Sequence, residues 1–205
     1  MAERMTAQKR RTQLVGVAKQ VFAEFGYTGA SVEEIASRAG VSKPVVYEHF
    51  GGKEGIYAVV VDRETNRLLD KITARLSPDA GGRAQLHDGA LAFLDYIAED
   101  PDGFRVLTRD SPATLGGGGI GGLLEDVSAK VAEILTGFFH RSGIDVATAP
   151  LYAHALVGMI AYVGSWWADV GTPDKDDVAR HLTALAYFGL NRLPADPVAA
   201  LEAGG

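Results

Sequence analysis

The 205-residue sequence predicts an all-α protein. Apolar residues recur at spacings of three and four along most of the chain, which is the period of a helix with one buried face. Strand signals are almost absent, and segments rich in glycine and proline divide the helical pattern into separate helices. With 47% hydrophobic and 22% charged residues, the chain can bury a sizeable core.

Three helices are predicted before residue 51. The first covers residues 6–25 and ends at a glycine. Ser31 and Glu34, three residues apart before an apolar run, form the pattern of a capping box and predict a second helix through about residue 39. The segment SKPVVYEHF predicts the third helix, where Pro44 fits the first turn because the N–H that it lacks would have no partner there.

The remaining helices form a larger segment, and the boundary between the two parts is predicted near residue 50. This gives an N-terminal domain of residues 1–52 and a second domain of residues 53–205. The tail from Pro194 is predicted to be frayed. The helices of the second domain are predicted at residues 53–76, 84–99, 103–109, 123–141, 150–169 and 174–191.

Composition excludes several classes of site. The chain has no cysteine, which rules out disulfides, zinc–thiolate centres and cysteine nucleophiles and favours a reducing compartment. The N-terminus MAERMTAQKRR lacks the apolar stretch of a signal peptide. The most apolar run, ALVGMIAYVGSWWA, is predicted to be too short to span a bilayer. We therefore expect a soluble cytoplasmic protein.

The charge is unevenly distributed along the chain. The net charge is −6, yet residues 1–53 carry eight Lys or Arg against five acidic residues, while the remainder carries a net charge of −9. An N-terminal segment that faces a polyanion on an otherwise acidic protein would explain this asymmetry. An ordinary solvated surface would explain it as well.

The second and third helices carry the pattern of a helix-turn-helix. Two short helices that cross steeply need a small residue at the crossing, a residue that turns sharply and an apolar residue that closes the core. Ala36, Gly40 and Val46 meet these needs, and Ile35, Val41 and Val45 add apolar support. A structural helical hairpin would also satisfy the spacing.

The predicted outer face of this motif distinguishes the two interpretations. It combines Ser42, Lys43, Tyr47 and His49, with Lys53 at the head of the next helix. All of these side chains can donate hydrogen bonds to phosphate oxygens or base edges. This composition favours a helix that enters the major groove of DNA.

The segments LVGVAKQVFAEFGYTGA and SVEEIASRAGVSKPVVYEHFGGKEGIY closely resemble the DNA-binding domain of the TetR family of transcriptional repressors. The resemblance covers about residues 10–60. It implies that Ser31, Tyr47 and Lys53 contact the DNA backbone. It also implies that Lys43, Pro44 and Val45 face bases, that His49 does either, and that Arg10 or Arg11 reaches a flanking phosphate or the minor groove. Because KPVV offers few bidentate donors, we expect thymine methyl contacts and DNA shape to contribute to specificity.

Other motifs predict no enzyme. The segment GGGIGG fits the dinucleotide fingerprint, but no strand precedes it, so a flexible loop is favoured. The five histidines lack the spacing of metal ligands, and no serine lies in G-x-S-x-G. We expect no catalytic residue, no metal and no cofactor. The alternative function is a helical structural or protein-interaction module without specific DNA binding.

The segment YAHALVGMIAYVGSWWADVG predicts an interior helix or the wall of an apolar cavity. The resemblance implies a homodimer through the last two long helices, with a cavity beside them. We therefore expect a repressor that a small apolar or amphipathic effector releases from double-stranded operator DNA. The candidate effector residues are Phe93, Tyr96, Phe104, Arg105, Met159, Tyr162 and Trp166. The candidate dimer residues are Gly158, Leu182, Leu185, Ala186 and Gly189.

Overall fold

The structure, a computed structural model, describes residues 6–77, 80–108 and 120–203. These residues form helices and include no strand, which confirms the predicted all-α class. A short 3-10 turn, Val146–Thr148, precedes the eighth helix. The helices are α1 Ala7–Gly29, α2 Val32–Ala39, α3 Lys43–Phe50, α4 Lys53–Arg75, α5 Gly82–Glu99, α6 Pro101–Thr108, α7 Ile120–Ser142, α8 Ala149–Val170, α9 Lys175–Asn191 and α10 Pro197–Ala203.

The observed helix limits agree with the predicted ones to within a few residues, with two differences. Gly26 interrupts α1 with a φ of +70°, as its predicted stop requires, but the chain resumes helical structure through Gly29. The prediction of a frayed tail is wrong. Asp196 accepts a hydrogen bond from the Ala199 N–H at 3.0 Å, and Pro197 begins α10. An Asp at the N-cap and a Pro in the first turn are both favourable for starting a helix.

The chain divides into two compact units. The first comprises the described residues of Met1–Leu68 and Asp100–Gly121, and the second those of Leu69–Glu99 and Gly122–Gly205. The first unit is larger than the predicted domain of residues 1–52, because it takes in most of α4 and also α6, which packs on α1. The functional boundary near residue 50 therefore stays a prediction.

The helices of the first unit pack around an apolar core to which α1 contributes. Phe22, Tyr27 and Tyr57 form edge-to-face pairs with ring centroids 4.9 and 4.8 Å apart. At the elbow between α3 and α4, a Cβ atom added to Gly55 would lie 1.8 Å from the Phe50 carbonyl oxygen. Glycine is therefore required at position 55 by the close approach of the backbone. The core of this unit includes Leu14, Ala18, Val21, Phe22, Ile35, Val46, Ile56, Val60 and Leu68.

A buried charged cluster ties three helices of the first unit together. Asp100 precedes α6 and accepts a hydrogen bond from the Gly103 N–H at 2.9 Å, which caps that helix. Its other carboxylate oxygen lies 2.5 Å from Lys19 Nζ of α1 and also binds Arg67 of α4. Lys19 lies 3.4 Å from Glu64 as well. Burial opposes ionisation of Asp100, but these donors outweigh it and hold its pKa below the usual range.

The second unit is built on α5, which packs against α8 and α9. A Cβ atom at Gly164 of α8 would lie 2.5 Å from Cε1 of Phe93 on α5, so the missing side chain allows the two helices to approach closely. Asp95 of α5 binds Arg75 and Lys175, which join the end of α4 to the start of α9. Burial raises the pKa of Asp95. The hydrogen bonds from Lys175 and Arg75 lower it by more than burial raises it, so the net shift is downward.

The most apolar helix is α8. By length and composition alone, the segment Val146–Val170 is long enough to cross a membrane, with a mean hydropathy of 1.5. The shorter run ALVGMIAYVGSWWA lies inside this segment, and the apolar pattern continues on both sides of it. Much of α8 is exposed on its own subunit, including Leu151 and Tyr162.

Candidate DNA-binding surface

The helix-turn-helix predicted from the sequence is formed by α2 and α3. Gly40 adopts the left-handed conformation with a φ of +66°, and the Val41 N–H then donates to the Ala36 carbonyl at 2.9 Å. Ile35, Ala36 and Val46 are buried. A Cβ atom at Gly40 would meet nothing within 4 Å, so backbone conformation rather than space explains the glycine.

The outer face of α3 presents the predicted side chains to solvent. Ser42, Lys43, Pro44 and Tyr47 are exposed, whereas Val45 and His49 are partly buried. The Ser42 side chain makes no capping bond to α3. Tyr47 is 53% exposed, and its ring lies against Gly52, since a Cβ there would be 3.4 Å from Tyr47 Cε1. This face can therefore offer a hydroxyl, an ammonium and a phenol to DNA.

Glu33 modifies the charge of this face. Glu33 in the first turn of α2 binds Lys43 of α3, and the hydrogen bond from Lys43 lowers the pKa of Glu33. Ser31 accepts the Glu34 N–H at 3.1 Å and so acts as the N-cap of α2. Carboxylates in the first turn stabilise a helix through its dipole, but here they also place negative charge where the resemblance predicts a phosphate contact.

Lys53 is engaged within the protein. Its ammonium donates to the carbonyls of Ala30 at 2.8 Å and Thr28 at 3.3 Å, where α1 ends and α2 begins. The same ammonium lies 4.5 Å from the centroid of the Tyr27 ring. Lys53 therefore links the start of α4 to the connection between α1 and α2.

The two arginines of α1 are also engaged. Arg11 donates to the His49 carbonyl at 2.6 Å, and its guanidinium lies 4.4 Å from the centroid of the Phe50 ring. Arg10 donates to the Gln13 side chain at 2.6 Å. Gln13 lies three residues from Arg10 on α1, so helical spacing alone could have indicated that contact. The contacts of Lys53 with Tyr27 and of Lys43 with Glu33 join separate helices, so local sequence patterns do not reveal them.

The predicted effector residues differ in burial and belong to both units. Phe93 and Tyr96 are buried in the second unit. Met159 packs partly buried against a core cluster of that unit, while Tyr162 and Trp166 are 80% and 48% exposed.

Phe104 and Arg105 belong to the first unit, where Phe104 is buried and Arg105 lies 3.3 Å from Asp102. As expected for neighbours on a helix, the two tryptophans of α8 face different surroundings. Trp167 is buried and donates to the Pro173 carbonyl at 2.7 Å, in contrast to Trp166.

The predicted dimer residues divide between two faces of the second unit. Leu182 and Ala186 are each only 7% exposed and belong to its interior. Leu185 is 68% exposed, and Gly158 and Gly189 are exposed as well. The exposed faces of α8 and α9 also carry Leu151, Tyr162, Trp166, Val170 and Phe188.

The glycine segment GGGIGG lies partly outside the described residues, and α7 begins within it at Ile120. Within the described parts of the chain, no group of three or more metal-ligating side chains could hold an ion.

Comparison with known proteins assigns the helix-turn-helix. Residues 14–60 match the family described as bacterial regulatory proteins, tetR family. The chain is 30% identical over 193 residues to the HTH-type transcriptional activator FasR of Mycolicibacterium smegmatis, covering 93% of this chain and 87% of that protein.

Solved structures extend the similarity beyond the helix-turn-helix. A TetR-like transcriptional regulator from Rhodococcus sp. RHA1 superposes with a TM-score of 0.75 at 25% identity, covering 92% of this chain and 100% of that one. A tetR-family transcriptional regulator from Streptomyces coelicolor gives a TM-score of 0.67 at 25% identity, with 96% of each chain covered. The helix-turn-helix, the helical second unit and these similarities together show that the chain belongs to the TetR family of transcriptional regulators.

Proposed function

We propose that this regulator acts as a homodimeric repressor that binds double-stranded operator DNA through α3 and is released by a small apolar or amphipathic effector. One observation carries the proposal. The helix-turn-helix packs its apolar residues inside, while the hydrogen-bond donors on the outer face of α3 are exposed to solvent. The alternative of a helical interaction module without DNA binding does not account for membership of a family of transcriptional regulators.

The exposed faces of α8 and α9 support the homodimer. Leu151, Tyr162 and Leu185 are at least 68% exposed, although they are large and apolar or aromatic. Several large apolar side chains exposed on the same two helices are typical of an interface. A two-fold axis would pair each face with its copy. We assign the interface to Gly158, Leu185 and Gly189 with their exposed neighbours, and not to the buried Leu182 and Ala186. Burial of α8 in this interface would also explain why the helix is so apolar, without any need for insertion in a membrane.

A dimer would place two copies of α3 in successive major grooves, about 34–36 Å apart. Ser42, Lys43, Pro44, Val45 and Tyr47 are the proposed contacts to bases and phosphates. His49 and Ser31 flank them, and Lys53 would have to exchange its carbonyl partners for a phosphate in order to contact DNA.

The effector response is proposed as a population shift. A ligand that binds better to a dimer whose two α3 helices are wrongly spaced must weaken DNA binding by the same coupling free energy. Ligand binding is typical of this family. Phe93, Tyr96 and Met159 are the proposed residues within the second unit, whereas the exposure of Tyr162 and Trp166 favours a place in the dimer interface.

A second candidate function is activation. It is favoured by the relative FasR, which is named a transcriptional activator. The two candidates share the DNA-binding surface and differ in where the operator lies relative to the promoter. DNA binding alone does not separate them.

Selection of bound fragments from randomised and genomic DNA tests the shared part of the proposal. We expect a palindromic site with half-sites about one helical turn apart. Recovery of no preferred sequence would contradict specific DNA binding. Deleting the regulator gene from a strain that carries the selected promoter fused to a reporter then separates the candidates. Reporter activity rises for a repressor and falls for an activator.

Tryptophan emission tests the effector part. Trp166 and Trp167 are the chain's two tryptophans, one half-exposed and one buried. We expect an apolar effector that releases DNA to change the emission of Trp166→Phe protein, which retains the buried Trp167. The matched Trp167→Phe variant should respond less. Release of DNA with unchanged emission in wild-type protein would contradict an effector site beside α8.

A further inference from the structure

The first turns of α1 carry side chains that bind the ends of both helices of the helix-turn-helix. Arg11 donates to the carbonyl of His49, in the last turn of α3, at 2.6 Å. Gln13 donates through Nε2 to the carbonyl of Ala39, the last residue of α2, at 3.2 Å. Arg10 donates to Oε1 of the same Gln13 at 2.6 Å. One segment of α1 therefore satisfies carbonyls at two helix ends.

These carbonyls need partners from outside their own helices. The last carbonyls of a helix have no donor within it, and a cation near them is favoured by the helix dipole. In α3 the Tyr47 carbonyl is bound by the Gly51 N–H at 2.8 Å, and the His49 carbonyl is bound by Arg11. The guanidinium also lies 4.4 Å from the centroid of the Phe50 ring, so Arg11 holds the end of α3 through both a backbone and a side-chain contact.

The recognition helix depends on such contacts because it is short. It has eight residues, of which Val46 alone is fully buried. Helices of this length are marginal by themselves, so the direction of α3 is determined by what it packs against. Its N-terminal side is fixed by the turn at Gly40. The side chain that fixes its C-terminal end to α1 is Arg11, 38 residues away in sequence.

We infer that Arg11 and Gln13 are positioning residues that set the orientation of α3 for operator recognition, and that Arg10 orients Gln13. This inference rests on the proposed operator binding and replaces the flanking-phosphate role that the family resemblance implies for the two arginines. A phosphate contact contributes equally to every DNA sequence. The orientation of α3 matters for base contacts and therefore for the preference of operator over other DNA.

The test is the affinity of full-length Arg11→Ala, Arg11→Lys and Gln13→Ala proteins for the selected operator and for unrelated DNA, each over a range of salt concentrations. Lys9→Ala is the matched control, since it removes one positive charge from the same turn of α1. Circular dichroism at the assay temperature reports whether each variant is folded.

For Arg11→Ala we expect operator affinity to fall about tenfold, the size of one lost hydrogen bond to a charged group. Affinity for unrelated DNA and the salt slope should stay at the wild-type values. Arg11→Lys should not restore the preference, because an ammonium lacks the planar face that lies over Phe50. Gln13→Ala should lower the preference in the same direction without any change of charge.

The inference is overturned if Arg11→Ala weakens both affinities together and reduces the salt slope by about 0.9 per lost phosphate contact, with rescue by lysine. If the variant is partly unfolded and loses affinity for both DNAs equally, the inference is also overturned, because Arg11 would then only stabilise the fold. An unchanged preference in both Arg11→Ala and Gln13→Ala would do the same. Wild-type protein without any operator preference would contradict the proposed function itself, and this inference with it.

Discussion

The two units of this regulator expose different kinds of surface. Among the described residues, the first unit has two large hydrophobic or aromatic side chains that are exposed, Phe25 and Tyr47, and the second has ten. The first unit binds many of its cations internally, to carbonyls, carboxylates or aromatic rings. The second unit leaves apolar stripes of α8 and α9 uncovered.

This difference indicates two partners of different chemistry. A surface that meets DNA stays solvated in the free protein and offers polar donors, because phosphates and base edges are polar. A surface that meets a second copy can be apolar, because it is permanently covered. Substitutions confined to one unit should therefore affect one kind of binding more than the other.

The largest expected effect comes from charging the apolar face of α9. Leu185→Arg places a cation at a position that a two-fold axis would bring close to its copy, so dimerisation should fail. Operator affinity should then fall by about 100-fold or more, since a monomer contacts one half-site. Sedimentation and titration with operator measure the two effects.

Leu201→Arg is the matched control for that change, because Leu201 is also an exposed leucine, 80% exposed on α10. It should leave both the oligomeric state and the affinity unchanged. A dimeric Leu185→Arg protein would contradict the interface that we assign to α8 and α9.

The next effect concerns the charged cluster of the first unit. Asp100→Asn weakens the bonds to Lys19 and Arg67 while keeping the shape of the side chain. We expect a loss of about 2–3 kcal/mol in the free energy of unfolding. Asp102→Asn, at an exposed ion pair with Arg105 within α6, should change the free energy of unfolding by less than about 0.5 kcal/mol. Denaturant unfolding of both variants tests this.

The pH dependence of the same variant has a definite sign. The pKa of Asp100 is lowered in the folded protein, so its contribution is present above the unfolded value of about 3.9 and is lost as pH falls through the folded value. Wild-type protein and Asp100→Asn should therefore converge in stability below about pH 4. A gap that widens in acid would show that the carboxylate does not act as an ion.

A smaller effect is expected from the close approach of α5 and α8 in the second unit. Gly164→Ala should cost about 1–3 kcal/mol, because the added Cβ would overlap the Phe93 ring. Gly158→Ala on the same helix meets nothing within 4 Å and should instead stabilise by about 0.5–1 kcal/mol. Both variants are best compared in the Leu185→Arg background, so that dimerisation does not enter. Equal stabilities would contradict the packing of α5 on α8.

The smallest effect is expected at the DNA-binding face. Glu33→Gln removes the carboxylate that binds Lys43, so operator affinity should rise about threefold, a size typical of exposed ion pairs. The salt slope should become steeper as Lys43 becomes available to phosphate. In a Lys43→Ala background the same change should have less effect, which a double-mutant cycle measures. An equal gain in both backgrounds would mean that Glu33 acts by repelling DNA directly.

Local signals in the sequence were sufficient to predict the helices and the helix-turn-helix. Capping at Ser31, the left-handed Gly40 and the burial of Val46 each depend on a few neighbouring residues. The contacts of Arg11 and Lys53 could not be predicted, because their carbonyl partners lie 38 and 23 residues away. From sequence alone, a Lys or Arg in a basic segment could bind either a DNA phosphate or the carbonyls at the end of a helix.

The faces of the C-terminal helices were harder to assign. Leu182, Leu185, Ala186 and Gly189 share a helical spacing, yet two of them face the interior and two face outward. A helix that is buried by its own subunit on one side and apolar on the other has no polar stripe to mark its orientation. The same ambiguity placed the exposed Tyr162 among the effector residues.

The glycine at position 55 also determines how the DNA-binding part of this chain could be transplanted. A hybrid regulator joined at residue 52 would take its position 55 from the recipient, where any side chain would collide with the Phe50 carbonyl. A junction placed after Gly55 keeps the elbow between α3 and α4. A junction near Leu68 also keeps all of the N-terminal segment of the first unit. The exchangeable module is therefore longer than the motif that recognises DNA.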